Sequence, residues 1–157
     1  MDSFKKKITT NNLTETKKEA EKLARQLLKK KDQKTIILAL TGELGSGKTS
    51  FVQGLAQGLG LKEKILSPTF VILKKFRLKG AIFNRFYHID CYRLEENRDL
   101  EMIGLEKIFQ EPENIVVIEW AEKIKKILPP GTIFISFKPK GREKRELVIV
   151  DKKRVLF

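Results

Sequence analysis

Residues 42–49, Gly42-Glu43-Leu44-Gly45-Ser46-Gly47-Lys48-Thr49, fit the phosphate-binding pattern G-x-x-x-x-G-K-[ST]. The glycines let the backbone turn tightly and bring its N–H groups close to anionic oxygens. Lys48 is placed to reach the β- and γ-phosphates of a nucleotide, and the Thr49 hydroxyl to meet Mg²⁺. Thr49-Ser50-Phe51-Val52 then opens a helix whose unpaired N–H groups and positive dipole end favour a phosphate.

The loop needs a strand before it and a helix after it, and the chain supplies both. Thr35 to Leu40 is an apolar run that reads as a buried strand, and the helix after the loop extends to about Gly58. Upstream, Leu13 to Lys31 carries Ala20, Leu23, Ala24, Leu27 and Leu28 at helical spacing, and Thr16-Lys17-Lys18-Glu19 has the form of a capping box. Ile65 to Phe76 and Ala81 to Ile89 read as strands of a hairpin turning near Leu78-Lys79-Gly80. Leu100, Ile103, Leu105, Ile108 and Phe109 suggest a short helix.

Asn114 to Glu119 reads as a second fully apolar strand that ends in an acid. If it lies parallel to Thr35–Leu40, Glu119 emerges beside the phosphate loop, where a phosphate-loop NTPase carries its Mg²⁺-side carboxylate. A helix over Ile124 to Leu128 follows, then a Pro129-Pro130-Gly131 break, and Thr132 to Phe137 and Glu146 to Val150 read as closing strands around a basic turn. The expected architecture is α/β: a single phosphate-loop NTPase-type domain over 1–157, with a central mixed sheet, flanking helices and β-hairpins.

Composition sets the bounds. At 157 residues, with 41% hydrophobic residues and a mean hydropathy of -0.31, the chain has the balance of a globular domain with a real core. No stretch approaches the roughly 18 to 20 apolar residues that span a bilayer. The basic start, Met1-Asp2-Ser3-Phe4-Lys5-Lys6-Lys7, has no apolar run behind it and does not read as a secretory signal, so a cytoplasmic location is expected.

With one cysteine, Cys91, neither an internal disulfide nor a cysteine-based metal site can be built. His88 stands three positions before it, but on a strand such positions face opposite ways, which disfavours a thiol–imidazole dyad. The net charge of +13 raises the question of nucleic acid, yet the cations are dispersed and no RNA-recognition or zinc-finger spacing is present. A solvated, lysine-rich surface is the preferred reading over a direct RNA footprint.

No N-K-x-D is present, which disfavours guanine specificity, and no L-S-G-G-Q of transporter ATPases occurs. A small-molecule kinase and a nucleotide-switched RNA-binding module remain as alternatives. Neither brings a further motif: no arginine-rich lid is evident.

Four motifs stand in the order and approximate spacing of one family. The phosphate loop, Ser67-Pro68-Thr69-Phe70, His88-Ile89-Asp90-Cys91-Tyr92-Arg93 and Glu119-Trp120 together resemble the bacterial TsaE (YjeE) family over nearly the whole chain. The resemblance implies a slow, partner-stimulated Mg²⁺-dependent ATPase in the formation of N6-threonylcarbamoyladenosine on tRNA. It implies TsaB and TsaD as partners, indirect contact with tRNA and no membrane role.

Residue by residue, the resemblance implies that Thr69 is a switch-type hydroxyl meeting Mg²⁺ or the γ-phosphate, and that Asp90 orients or deprotonates the attacking water. Glu119 is the metal-side acid, and Trp120 lies near the nucleotide. Thr14 and Thr16 stand near the adenine or simply cap the first helix, and His88 and Tyr92 serve packing and orientation. Cys91 stands where the family has an aliphatic residue. Arg85 and Arg93 are the candidates for an arginine finger.

Overall fold

The computed structural model describes residues 3–32, 34–66, 73–80, 82–94 and 104–157. Among the described residues, seven strands form one sheet: β1 (Phe4–Thr10), β2 (Ile36–Gly42), β3 (Leu73–Arg77), β4 (Arg85–Asp90), β5 (Asn114–Glu119), β6 (Ile133–Pro139) and β7 (Arg145–Asp151). Their spatial order is β1-β7-β6-β2-β5-β4-β3. The four central strands β6, β2, β5 and β4 run parallel, while β1, β7 and β3 join antiparallel, giving the mixed sheet expected.

Burial explains the centre. β2 and β5 are aliphatic on both faces, as strands covered from both sides must be. Ile36, Leu38, Leu40, Ile115 and Val117 fill one core with α1 (Leu13–Leu28) and α2 (Lys48–Gly58). Ile37, Ala39, Val116 and Ile118 fill the other with α3 (Leu105–Gln110) and a 3₁₀ segment, Ala121–Ile127. The edge strands are different: Lys5, Lys6 and Lys7 on β1, and Lys74, Lys75 and Arg77 on β3, are exposed.

α1 and α2 pack closely because Gly54 and Gly58 admit the other helix's backbone. A Cβ on Gly54 would stand 2.3 Å from the Lys17 carbonyl oxygen, and one on Gly58 would stand 2.6 Å from Ala24 Cβ. This contact fixes α2, and with it the end of the phosphate loop.

Several expectations need correcting. The α1 cap is Asn12, whose Oδ1 accepts from the Glu15 N–H at 2.9 Å, while Glu15 Oε2 accepts from the Asn11 N–H at 2.7 Å. The cap therefore lies one turn before Thr16, which is buried inside the helix, and the helix ends at Leu28 rather than Lys31. In the hairpin, β3 begins only at Leu73; Ile65 and Leu66 are not strand, and residues 67–72 lie outside the described residues. β4 starts at Arg85, since Phe83 fills the core from the connecting loop instead of joining the ladder.

The helix expected over Ile124 to Leu128 is the 3₁₀ segment from Ala121, kinked at Ile124. Leu100 and Ile103 of the preceding helix lie outside the described residues; Leu105–Gln110 is helical. β1 is an element the sequence reading missed. Three consecutive lysines hide its alternation, and its register is set by pairing with β7, from Phe4 opposite Asp151 to Thr10 opposite Arg145. Among the described residues, no helix is long and apolar enough to cross a membrane.

Candidate active site at the phosphate loop

Parallel pairing of β2 with β5 brings Leu40 opposite Glu119, and pairing of β5 with β4 brings Glu119 opposite Asp90. The loop leaving β2 and the two acids therefore share the carboxyl end of the sheet, the usual ligand position in such folds.

The loop is held by a tight backbone. Gly42, Gly45 and Gly47 have φ of 147°, 75° and 104°. A Cβ on Gly42 would stand 2.7 Å from the Phe137 carbonyl oxygen, so a side chain there has neither room nor backbone freedom. Glu43, Leu44 and Gly45 are exposed, Leu44 at 77%, whereas Ser46, Gly47 and Lys48 are buried. Gly47 caps α2 without any side-chain bond, so the first N–H groups of the helix, those of Lys48, Thr49 and Ser50, face the loop without a side-chain acceptor from the cap.

Lys48 folds back over the loop. Its Nζ donates to Gly42 O at 2.6 Å, Glu43 O at 2.8 Å and Ser46 Oγ at 3.3 Å, and it lies 4.1 Å from the centre of the Trp120 ring. Burial pulls its pKa below the ordinary lysine value, opposed by the charges of Glu119, Glu122 and Asp90.

Glu119 is buried between two donors. The Thr49 hydroxyl donates to Oε1 at 2.8 Å, and His88 Nε2 meets Oε2 at 2.6 Å. A carboxylate only accepts, so the imidazole proton sits on Nε2. His88 is buried, and its Nδ1 has no hydrogen-bond partner among the described residues. His88 and Asp90 alternate with Tyr87, Ile89 and Cys91, which face the other core, so the histidine and the cysteine do diverge. Burial raises the Cys91 thiol to about 12, the value of an inert group.

Asp90 is half-buried at the strand end, and its Oδ1 accepts from the Tyr92 N–H at 2.9 Å. Trp120 takes a left-handed backbone, φ 57°, just after Glu119, which turns its ring toward Lys48 and against Tyr92 at 4.9 Å.

Not every anticipated residue joins this group. Thr69 lies outside the described residues. Thr14 is exposed on the first turn of α1, and Thr16 is buried with its hydroxyl 2.8 Å from that of Thr10, so neither caps the helix. Arg85 sits at the opposite end of β4, where its Nε donates to Asn114 Oδ1 at 2.6 Å and its Nη2 to Pro112 O at 3.0 Å. It is removed from the loop.

One residue at the site escaped the sequence reading. Arg145, at the start of β7, donates from Nε to Ser46 O at 3.0 Å and from Nη2 to Gly45 O at 3.5 Å. In the sequence it was merged with the basic turn 138–145; only the return of β7 along β6 carries it to the loop.

The donors suit an anion and a hard cation. Backbone N–H groups and Lys48 serve phosphate oxygens, and the Thr49 hydroxyl, donating to Glu119, keeps lone pairs for a cation of the Mg²⁺ type. Among the described residues no three His, Cys, Asp or Glu side chains cluster as a metal site of their own. At sites of this type Mg²⁺ takes one or two protein ligands together with substrate phosphate oxygens.

A β2–loop–α2 unit at the carboxyl end of a parallel sheet core, with an acid-ended neighbouring strand, defines a protein of the phosphate-loop NTPase type. The family model described as "Threonylcarbamoyl adenosine biosynthesis protein TsaE" matches residues 10–147. The chain belongs to the TsaE family. It is 37% identical to the tRNA threonylcarbamoyladenosine biosynthesis protein TsaE of Rickettsia prowazekii over 150 residues, 95% of this chain and 96% of that one. It is 36% identical to the protein of the same name from Haemophilus influenzae over 73% of this chain and 70% of that one. The crystal structure of YdiB of Bacillus subtilis superposes with a TM-score of 0.75 at 29% identity, covering 99% of this chain and 91% of that one.

Proposed function

We propose that this chain is a cytoplasmic, single-domain ATP hydrolase that serves the formation of N6-threonylcarbamoyladenosine on tRNA. It works with the TsaB and TsaD proteins and meets tRNA indirectly. The carrying observation is the linkage from the phosphate loop through Thr49 to buried Glu119 and His88. Membership of the TsaE family, whose described role is threonylcarbamoyladenosine biosynthesis, supports the pathway.

In this reading the loop N–H groups and Lys48 hold the phosphates of ATP, and Lys48 exchanges its carbonyl partners Gly42 and Glu43 for phosphate oxygens. The Thr49 hydroxyl and the nucleotide would hold Mg²⁺, whose charge would offset the negative charge that develops on the phosphates. Thr49 offers its oxygen toward that ion while its O–H keeps donating to Glu119; His88 keeps the carboxylate in place from behind. By the family resemblance, the Thr69 hydroxyl would meet Mg²⁺ or the γ-phosphate. Asp90, one strand over at the same level, orients the attacking water and takes its proton as water adds to the γ-phosphorus and ADP leaves.

Of the two arginine-finger candidates, Arg85 is engaged with protein oxygens at the far end of β4 and Arg93 is exposed; supply of a finger by a partner, worth about 10³ to 10⁵ in rate, fits a slow isolated enzyme. The test is phosphate release from ATP by the protein alone and with TsaB and TsaD of the same organism. Marked stimulation by the pair is expected. ATP binding without phosphate release, even with the pair, would favour a nucleotide-switched binding module or a kinase lacking its acceptor.

A further inference from the structure

We propose that Arg145 is a positioning residue that sets the phosphate loop in its binding conformation from outside; this rests on the nucleotide-binding reading above. Among the described residues, the guanidinium donates to backbone carbonyls, two of them in the phosphate loop. Nε donates to Ser46 O at 3.0 Å and Nη2 to Gly45 O at 3.5 Å, while Nη1 donates to Glu143 O at 2.5 Å in the adjoining turn. No peptide bond here is cis, and in a trans peptide the C=O and the following N–H point in opposite directions. Drawing the Ser46 carbonyl outward to Arg145 therefore turns the Gly47 N–H to the other side of the loop, where phosphate oxygens would lie.

The fit extends to Gly47 itself. A Cβ there would stand 2.9 Å from Arg145 Cδ and 3.0 Å from Nε, so the arginine stem lies flat on the only residue type that leaves it room. Arg145 is anchored in turn by strand pairing on both sides, opposite Thr10 of β1 and Pro139 of β6. The loop is thus clamped to the sheet by a side chain 98 to 100 positions away in the chain. A lysine, with one compact ammonium, reproduces the charge but not the forked contact with two carbonyls.

The experiment compares wild type with Arg145→Gln and Arg145→Lys. It reads fluorescent ADP and ATP binding, thermal unfolding without nucleotide, and the Gly47 amide NMR signal without nucleotide. The expected result is about ten- to a hundredfold weaker binding of both ADP and ATP by Arg145→Gln, the scale of one hydrogen bond to a charged group. Arg145→Lys should recover part of it, and the Gly47 amide should shift in both variants while they stay folded. Weakening confined to ATP would overturn positioning in favour of direct γ-phosphate contact. Unchanged affinity and an unmoved Gly47 amide would also sink the proposal. A wild type that binds neither nucleotide would instead refute the nucleotide reading itself, a result separable because it needs no variant.

Discussion

The Thr49 hydroxyl donates a 2.8 Å hydrogen bond to Glu119 Oε1, joining the first turn of α2 to the end of β5 across 70 positions of sequence. Because Glu119 is buried and also held by His88, the hydroxyl is oriented before any ligand arrives. The consequence is a division of labour between binding and turnover. Lys48→Ala should weaken ATP binding about ten- to a hundredfold, the scale of lost charged hydrogen bonds. Glu119→Gln and Asp90→Asn should bind ATP and fail to hydrolyse it. Binding titrations beside phosphate release check this, and undiminished turnover in either carboxylate variant removes that residue from the mechanism.

His88 carries a stability prediction. His88→Ala leaves one oxygen of a buried carboxylate without its donor, so unfolding in urea should show a loss of at least about 2 kcal/mol. A variant as stable as wild type would mean that Glu119 finds another donor.

Trp120 is the single tryptophan and lies 4.1 Å from the Lys48 ammonium, which makes it a reporter. Nucleotide should draw Lys48 from the ring and change the emission. Lys48→Ala should shift the emission of the free protein and abolish the response at concentrations saturating wild type. A response equal in both proteins would exclude Lys48 as its source.

Cys91 gives a pH dependence. The folded thiol titrates at about 12 against an ordinary value of about 9, so the native state holds its proton over a range in which the unfolded chain has lost it. Its contribution is complete below pH 9 and falls by up to about 1.4 kcal/mol per pH unit between about 9 and 12. The difference in stability between wild type and Cys91→Ala should therefore narrow over that window, and thiol reagents at pH 8 should label the protein only once it unfolds.

Gly54 tests the frame behind the loop. Gly54→Ala would gain helix propensity in isolation, yet its methyl meets the Lys17 carbonyl, so a net loss of about 1 to 3 kcal/mol is expected by chemical denaturation.

What could be read from the sequence followed from local pattern. The apolar runs of β2 and β5 and the glycine spacing of the loop are short-range signals, and parallel pairing then placed Glu119 as its position required. The capping box was misplaced because Thr16-to-Glu19 and Asn12-to-Glu15 have the same form, and only burial of Thr16 separates them. β1 was illegible because its lysines carry no alternation and its partner lies some 140 residues away. Arg145 was hidden for a related reason: a cation in a run of cations gains its meaning from where β7 returns.

The two outermost strands bear on how the charge of +13 is understood. A sheet with open margins offers unpaired N–H and C=O groups to any neighbouring chain, and lysines along such a margin oppose that association. Lys5, Lys6 and Lys7 stand on one margin, and Lys74, Lys75 and Arg77 on the other. By that general rule these six cations oppose edge-to-edge pairing of copies of the protein, an effect of charge that needs no nucleic acid. Replacing them with apolar residues should leave the loop intact and raise the tendency of copies to associate edge to edge, which light scattering would read.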